Sequence, residues 1–113
     1  MNIQKELSKG SSSLLVLSVL GTGDMYGYQI IKEIEQRSEF VFSFKEGTLY
    51  PILHGFEQEG LVKSYWQDGE RGKRRTYYHI TDRGLLSKSA EDWHLYSSAV
   101  EKVIRSGLVP SAV

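Results

Sequence analysis

The chain has 113 residues, of which 14 are Lys or Arg and 14 are Asp or Glu, so its formal net charge is zero; hydrophobic residues make up 40%. These values are typical of a single globular domain with a thin core, which oligomerisation would help to stabilise, and they exclude a chain that is disordered throughout. The sequence has no cysteine, which excludes disulfides, a thiolate nucleophile and a cysteine zinc site. Neither a long apolar run nor a basic-then-apolar start is present, so we expect a soluble cytoplasmic protein with no membrane partner.

The first third of the chain is predicted to be helical. Residues 3–20 form a helix whose second half is apolar nearly all round, as in helices buried on several sides. The serine run at residues 11–13 predicts a cap or a break, and Gly21 and Gly23 end the helix. Residues 25–37 carry an apolar stripe at helical spacing. The glycine-rich segment between them lacks a preceding strand and a closing Gly-Lys-Ser/Thr, so it is interpreted as a turn with Asp24 as a helix cap rather than a phosphate loop.

The clearest helix is predicted at residues 47–59. Leu49, Ile52, Leu53 and Phe56 fall at helical spacing and predict its buried face. Gly47 or Thr48 is the expected cap, Pro51 then lies in the first turn, and Gly60 ends the helix. The aromatic run at residues 40–44 precedes it and predicts a short strand or an extended, packed segment.

The second half predicts a β-hairpin followed by a helix. Residues 61–67 and 75–80 are β-prone and flank a turn-rich loop. Thr81 and Asp82 suit a helix start, and apolar residues then follow at spacings of three and four, which is typical of a dimerisation seam. The residues predicted for this interface are Leu7, Leu86, Trp93, Tyr96, Val100, Val103 and Ile104. We therefore divide the chain into a domain at residues 1–81, a C-terminal helix at 82–106 and a flexible tail at 107–113.

The titratable residues form no catalytic or metal-binding pattern. His54, His79 and His94 lie at no metal-ligand spacing, and His79 is expected to be a cross-strand neighbour rather than a base. We therefore predict neither an enzyme nor a cofactor.

Charge is concentrated at the tip of the predicted hairpin, in Arg71, Lys73, Arg74 and Arg75. Cations on a slim, flexible hairpin suit duplex phosphates or the minor groove, although a merely solvated loop is the alternative. Three helices followed by a basic hairpin is the order of a winged helix-turn-helix, mainly α with a small β-hairpin. The exposed face of the third helix would then enter the major groove. The residues predicted to meet DNA from this helix are Lys45, Thr48, Tyr50, Pro51, His54 and Gln58. For Tyr50, packing inside the domain against Phe44 is an equal alternative.

Several segments resemble the PadR family of bacterial transcription regulators. The stretch Gly47-Thr48-Leu49-Tyr50-Pro51-Ile52-Leu53 resembles that family's GTLYPxL signature. The segments that extend the resemblance are residues 15–20 with 26–31, EQEGL at 57–61, and RRTYYHIT at 74–81 followed by Asp82-Arg83-Gly84. The resemblance implies a winged helix-turn-helix with one long C-terminal dimerisation helix. It further implies a homodimer that binds double-stranded DNA at a near-palindromic operator, represses transcription and is released by a small effector.

Trp93 permits two interpretations. Some small members of the family hold flat aromatic compounds between the tryptophans of two subunits, so Trp93 is a candidate effector residue, with Tyr96 and His94 able to join the pocket. The alternative is that Trp93 is buried in the dimer core. For the whole chain, the competing hypothesis is a winged-helix module that binds protein and does not bind an operator directly.

Overall fold

The computed structural model describes residues 11–108, which form five α-helices and a three-stranded antiparallel sheet of order β1-β3-β2. The elements are α1 Ser12–Leu20, β1 Met25–Tyr26, α2 Gly27–Arg37, α3 Glu46–Gln58, β2 Val62–Asp68, β3 Arg74–Ile80, α4 Asp82–Leu85 and α5 Ser89–Gly107, with a short 3-10 turn at Glu70–Gly72. The prediction of a mainly helical chain with a small β-hairpin is confirmed, and β1 is an addition to it. Within residues 11–108 no helix is long and apolar enough to cross a membrane.

Helix α1 lies at the centre of the domain. It follows Ser11, whose φ of −111° places it outside the helix, so the helix begins at the predicted serine run. Val16, Leu17, Val19 and Leu20 are all buried, as expected for a helix that is apolar nearly all round. It ends at Gly21, as predicted. Residues 3–10 of the predicted helix, including Leu7, lie outside the described residues.

The segment before α2 differs from the prediction. Met25 and Tyr26 are extended and pair with β3, opposite Tyr78 and Tyr77 respectively. Because these two residues are held in a sheet, the helix cannot begin at Asp24, and the predicted Asp24 cap is wrong. Helix α2 begins at Gly27 instead, where Gln29 Oε1 accepts a hydrogen bond of 3.1 Å from the backbone amide of Tyr26.

The aromatic run before α3 forms no strand. Phe44 is buried and Phe42 is partly buried against the core, so the extended, packed alternative holds for these two. Phe40 is 73% exposed and lies in a turn with a left-handed φ of 65°. Helix α3 then begins at Glu46 with Lys45 as its cap residue, so the predicted cap at Gly47 or Thr48 is wrong.

Pro51 is consequently the sixth residue of α3 and not part of its first turn. It therefore removes one intrahelical hydrogen bond, the one that the carbonyl of Gly47 would accept. The predicted buried face is otherwise confirmed: Leu49, Leu53 and Phe56 are buried, and Ile52 is partly buried against the same core.

The end of α3 and the hairpin follow the prediction closely. Gly60 has a φ of 74°, a left-handed conformation that favours glycine, and the amide of Leu61 donates to the carbonyl of Phe56 at 2.8 Å. Strands β2 and β3 then pair from Val62↔Ile80 to Asp68↔Arg74. Thr81 caps α4, since its Oγ1 accepts from the amide of Gly84 at 3.2 Å.

The predicted C-terminal helix at 82–106 is divided into two. Helix α4 ends at Leu85, and α5 begins only at Ser89. The Ser87 hydroxyl accepts from the amide of Ser89 at 3.2 Å, and such a side-chain bond competes with continuation of the helix. Leu86 therefore lies in the break and not on the helical seam, and it is 81% exposed. Helix α5 runs through Gly107, so the predicted tail begins one residue later than residue 107; residues 109–113 lie outside the described residues.

A close approach between α2 and α3 yields a stability prediction. A Cβ placed on the buried Gly27 would lie 2.5 Å from the hydroxyl oxygen of Tyr50. We expect Gly27→Ala to lower the free energy of unfolding by about 1 kcal/mol, at the low end of the cost of overpacking, because the Tyr50 hydroxyl ends a partly exposed side chain that can shift. Adding Tyr50→Phe, which removes that oxygen, should restore part of the loss in urea unfolding. A double variant as unstable as Gly27→Ala alone would contradict this contact.

Candidate nucleic-acid interface

The exposed face of α3 carries the residues predicted to meet DNA. Lys45 precedes the helix; Thr48, Tyr50, Pro51, His54 and Gln58 lie along it, and all six are exposed. Tyr50 is 36% exposed, and its hydroxyl lies over Gly27. Its side chain is thus held at the junction of α2 and α3 while its outer edge remains open to a ligand.

Helix α3 itself contains no cation. Its sequence, EGTLYPILHGFEQ, has two glutamates and no lysine or arginine, and only Lys45 adds a positive charge at its start. Any attraction for a polyanion must therefore come from neighbouring elements, because the phosphate backbone dominates the affinity of proteins for DNA.

The tip of the hairpin between β2 and β3 supplies that charge. The amide of Gly69 donates to the carbonyl of Lys73 at 2.6 Å and closes the loop, in which Arg71 has a left-handed φ of 63°. Arg71, Lys73 and Arg74 are exposed, and Arg75 is half-buried.

Arg74 and Arg75 point to opposite faces of the hairpin because successive strand residues alternate. We define the inner face as the one bearing the buried Val62, Tyr78 and Ile80, and the outer face as its reverse. On the inner face, the Arg74 guanidinium lies 5.1 Å from the centroid of the Trp66 ring and 3.9 Å from Asp68. On the outer face, the Arg75 guanidinium lies 4.4 Å from the centroid of the Tyr26 ring. The four cations predicted as one group are therefore not equivalent.

Helix α3 and the inner face of the hairpin adjoin one another. The Ser64 hydroxyl of β2 donates to Glu57 Oε2 of α3 at 3.2 Å. Burial raises the pKa of Tyr78 on β3, and the nearby Tyr50 and Glu57 of α3 add to the shift. The C-terminal part of α3 thus adjoins the inner face of the hairpin, and Arg74 lies farther along that same face.

The outer face carries a cluster that the sequence did not reveal. Tyr77 stacks on Tyr65 with ring centroids 5.7 Å apart and meets Tyr26 edge-on at 5.4 Å. Asp24 accepts hydrogen bonds of 2.7 Å from the Tyr65 hydroxyl and from Nδ1 of His79. His79 is also the cross-strand neighbour of Lys63, as predicted. Period-two alternation along the hairpin places Tyr65, Tyr77 and His79 on one face, but only the unpredicted β1 brings Asp24 to them.

This cluster makes the stability of the protein depend on pH. The hydrogen bond from Tyr65, followed by that from His79, holds the pKa of Asp24 below its ordinary value of 3.8. The stabilisation is therefore complete well above pH 3.8 and is lost as the pH falls through the lowered folded-state value. We expect Asp24→Asn to lower the free energy of unfolding at pH 7 by about 1 kcal/mol, discounted for exposure, and by less in acid. Urea unfolding at pH 7 and at pH 3 measures the loss of stability at each pH. Asp68→Asn is the control, because Asp68 is more exposed than Asp24. An equal loss at both pH values would contradict the assignment.

Helix α5 presents an apolar seam that the rest of the described chain does not cover. None of its residues is buried: Trp93 is 36% exposed, Tyr96 64% and Val103 72%. Beside the seam, an open cleft of about 410 Å³ is lined by Ser13, Leu14, Ser89, Asp92, Trp93 and Tyr96. Trp93 and Tyr96 therefore share the cleft, with ring centroids 6.0 Å apart. His94, predicted to join them, is exposed and does not line it.

Residues 16–87 match the model of the transcriptional regulator PadR-like family. The chain belongs to the PadR-like family of transcriptional regulators. It resembles the structure of a transcriptional regulator from Clostridium thermocellum, with a TM-score of 0.75 and 36% identity over 92% of this chain and 99% of that one. It also resembles a PadR family transcriptional regulator from Eggerthella lenta, with a TM-score of 0.75 and 35% identity over 88% of this chain and 86% of that one. An uncharacterised protein from Lysinibacillus sphaericus is 31% identical over 80% of this chain and 85% of its own length.

Family membership identifies the function at a coarse level. The chain is a transcriptional regulator and not an enzyme, and it has the winged-helix fold of this family, whose members bind DNA. In such folds the second helix of the helix-turn-helix is the recognition helix, and α3 is the helix at the corresponding position. The hairpin of β2 and β3 corresponds to the wing of these folds and is called the wing below.

Proposed function

We propose that this PadR-like regulator is a homodimeric, sequence-specific repressor that is released from its operator by a small hydrophobic or aromatic effector. The observation that carries the proposal is that the hairpin adjoining α3 bears exposed cations at its tip. The recognition helix has no cations and the wing beside it does, so we assign base contacts to the helix and phosphate contacts mainly to the wing.

The residues of α3 and of the wing take distinct parts in DNA binding. His54 and Gln58 lie on the exposed face of α3 and are placed to meet base edges in the major groove. Lys45, Thr48 and Tyr50 lie near the start of the helix, where phosphate contacts benefit from the helix dipole. Pro51 lies beside them and offers the DNA an apolar surface without a hydrogen-bond donor. The exposed wing cations, Arg71, Lys73 and Arg74, meet the flanking phosphates.

A second copy of the chain covers the seam of α5. The exposed apolar side chains on one side of a helix of 19 residues are typical of a protein–protein interface. A two-fold dimer through this seam presents two copies of α3, and a two-fold dimer selects a near-palindromic operator. Trp93, Tyr96, Val100, Val103 and Ile104 supply the interface; Leu86 and Leu7 remain predicted members of it.

The cleft beside Trp93 is the proposed effector site. Its lining combines two aromatic rings with the carboxylate of Asp92, which suits a flat hydrophobic compound, particularly a cationic one. Because the cleft lies between α1 of the DNA-binding domain and α5 of the dimer seam, a bound compound would favour one arrangement of the two elements. Such a preference changes DNA affinity by the ratio of the compound's affinities for the two arrangements.

A genomic DNA pull-down with the purified protein at low and physiological salt tests the proposal. We expect enrichment of a short near-palindromic site at physiological salt and less selective binding at low salt. Binding that is absent at both salt concentrations would overturn the proposal in favour of the protein-interaction module. Adding a planar aromatic cation should quench Trp93 fluorescence and lower occupancy of the enriched site; no effect from a panel of such compounds would remove the effector from the proposal.

The role of His54 gives a separate prediction. A side chain that contacts a base edge affects sequence preference more than general affinity. We therefore expect His54→Ala to change the preferred bases at one operator position by roughly 1–3 kcal/mol of discrimination while binding to a mixed-sequence duplex stays within about twofold. Selection from a randomised duplex pool measures the preference, with the exposed His94→Ala of α5 as the control. An unchanged preference would remove His54 from the base-contacting residues.

A further inference from the structure

Trp66 is the one wing residue whose exposure the fold does not explain. Its side chain is 68% exposed near the tip of the wing, although tryptophan is usually largely buried. It pairs with Thr76 and lies two residues beyond Ser64, which is bonded to Glu57 of α3. Trp66 therefore lies on the inner face, on the same side as the recognition helix but beyond the part of the hairpin that the core covers.

Arg74 lies over the exposed indole. Its guanidinium is 5.1 Å from the centroid of the Trp66 ring, and its Nε lies 3.9 Å from Asp68 Oδ1. A stacked guanidinium loses rotamer freedom but keeps the N–H groups at its edge available for hydrogen bonds. The indole thus orders the Arg74 side chain before any ligand binds, and this lowers the entropic cost of a contact between Arg74 and a ligand.

We propose that Trp66 is a DNA contact of the wing: its indole packs on deoxyribose at the wall of the minor groove and holds Arg74 towards the adjacent phosphates. The inference rests on the proposed DNA-binding function and adds a residue to it. An indole offers an apolar face and no charge, so the sugar is the part of a duplex backbone that it fits. A contact to sugar and phosphate carries no base code, and Trp66 therefore contributes affinity to every sequence.

Tyr65 provides a matched control, because it is the neighbouring aromatic residue of β2 on the opposite face. Its hydroxyl is bonded to Asp24 and its ring stacks on Tyr77, so it stabilises the fold on the outer face. Replacing each aromatic with leucine separates the two roles. We expect Trp66→Leu to weaken binding to a mixed-sequence duplex at low salt roughly tenfold, with unfolding by urea little changed. Tyr65→Leu should lower stability while the folded protein keeps its DNA affinity.

Two further measurements test the coupling to Arg74. In a double-mutant cycle, Trp66→Leu combined with Arg74→Ala should weaken binding by less than the product of the two single effects, because both changes remove one arrangement. The chain has two tryptophans, so subtracting the emission of Trp66→Phe from that of the wild type gives the emission of Trp66. Binding of the duplex should protect this emission from quenching by acrylamide.

The failure of this inference is distinguishable from failure of the proposed function. If the wild type binds the duplex and Trp66→Leu binds equally well, the Trp66 contact is wrong while DNA binding stands. Equal losses of affinity and stability in Trp66→Leu would likewise overturn it, because the indole would then only support the hairpin. If the wild type fails to bind any duplex even at low salt, the proposed function is itself overturned.

Discussion

Replacing Arg71, Lys73 and Arg74 together with alanine is expected to weaken binding to all duplexes by tenfold or more and to flatten its dependence on salt. The reason is that α3 contains no cation, so we expect the wing to supply most of the counterion release that would drive association. The slope of log affinity against log salt is negative, and each phosphate contact that is lost reduces its magnitude by about 0.9. Fluorescence anisotropy with a labelled duplex at several salt concentrations measures both quantities.

Arg75→Ala is the informative control for that experiment. Its guanidinium lies over Tyr26 on the outer face, away from α3. We therefore expect it to leave the salt slope nearly unchanged and to lower stability by about 0.5–1 kcal/mol through the lost cation–π contact. Lys102→Ala, an exposed cation of α5, controls for net charge. If Arg75→Ala flattened the slope as much as the triple variant, the division of the wing into two faces would not govern DNA binding.

The sequence predicted what depends on local pattern. The apolar spacing of Leu49, Leu53 and Phe56 located the buried face of α3, and Gly60 located its end, because periodicity and a left-handed glycine are encoded in neighbouring residues. The cap of α3 was predicted at Gly47 or Thr48, two or three residues after its actual position at Lys45. The cap is the last residue outside the helical conformation. Here that residue is Lys45, whose backbone is extended, so the helix begins at Glu46.

What the sequence could not predict depends on contacts between distant segments. Asp24 follows a glycine turn and precedes a helical stripe, which favours a cap, yet pairing of Met25 and Tyr26 with β3 places it beside Tyr65 and His79. Strand alternation implies that Arg74 and Arg75 lie on opposite faces, but the aromatic ring that each arginine contacts lies elsewhere in the chain. At the break near Leu86, the Ser87 hydroxyl accepts a hydrogen bond from the amide of Ser89, and apolar spacing does not predict this bond.

The proposed dimer seam of α5 gives the second large expected effect. Val100 and Val103 lie on the exposed apolar side of α5, and in a two-fold interface each substitution is present twice. A glutamate placed there would bury unpaired charge on both copies, which costs several kcal/mol. We expect Val100→Glu and Val103→Glu to convert the dimer to monomer in sedimentation, and to weaken binding to a two-half-site operator by about 10²–10⁴ through lost avidity.

Ser98→Glu is the matched control, because it adds the same charge on the opposite side of the same helix. Ser98 is exposed and lies two residues from both Tyr96 and Val100, so it points away from the seam. It should remain dimeric and bind the operator as the wild type does. A dimer that survives Val100→Glu and Val103→Glu would place the interface elsewhere. Monomers that still bound the intact operator at wild-type affinity would mean that a single copy of α3 and its wing suffices, since the second half-site would then contribute nothing.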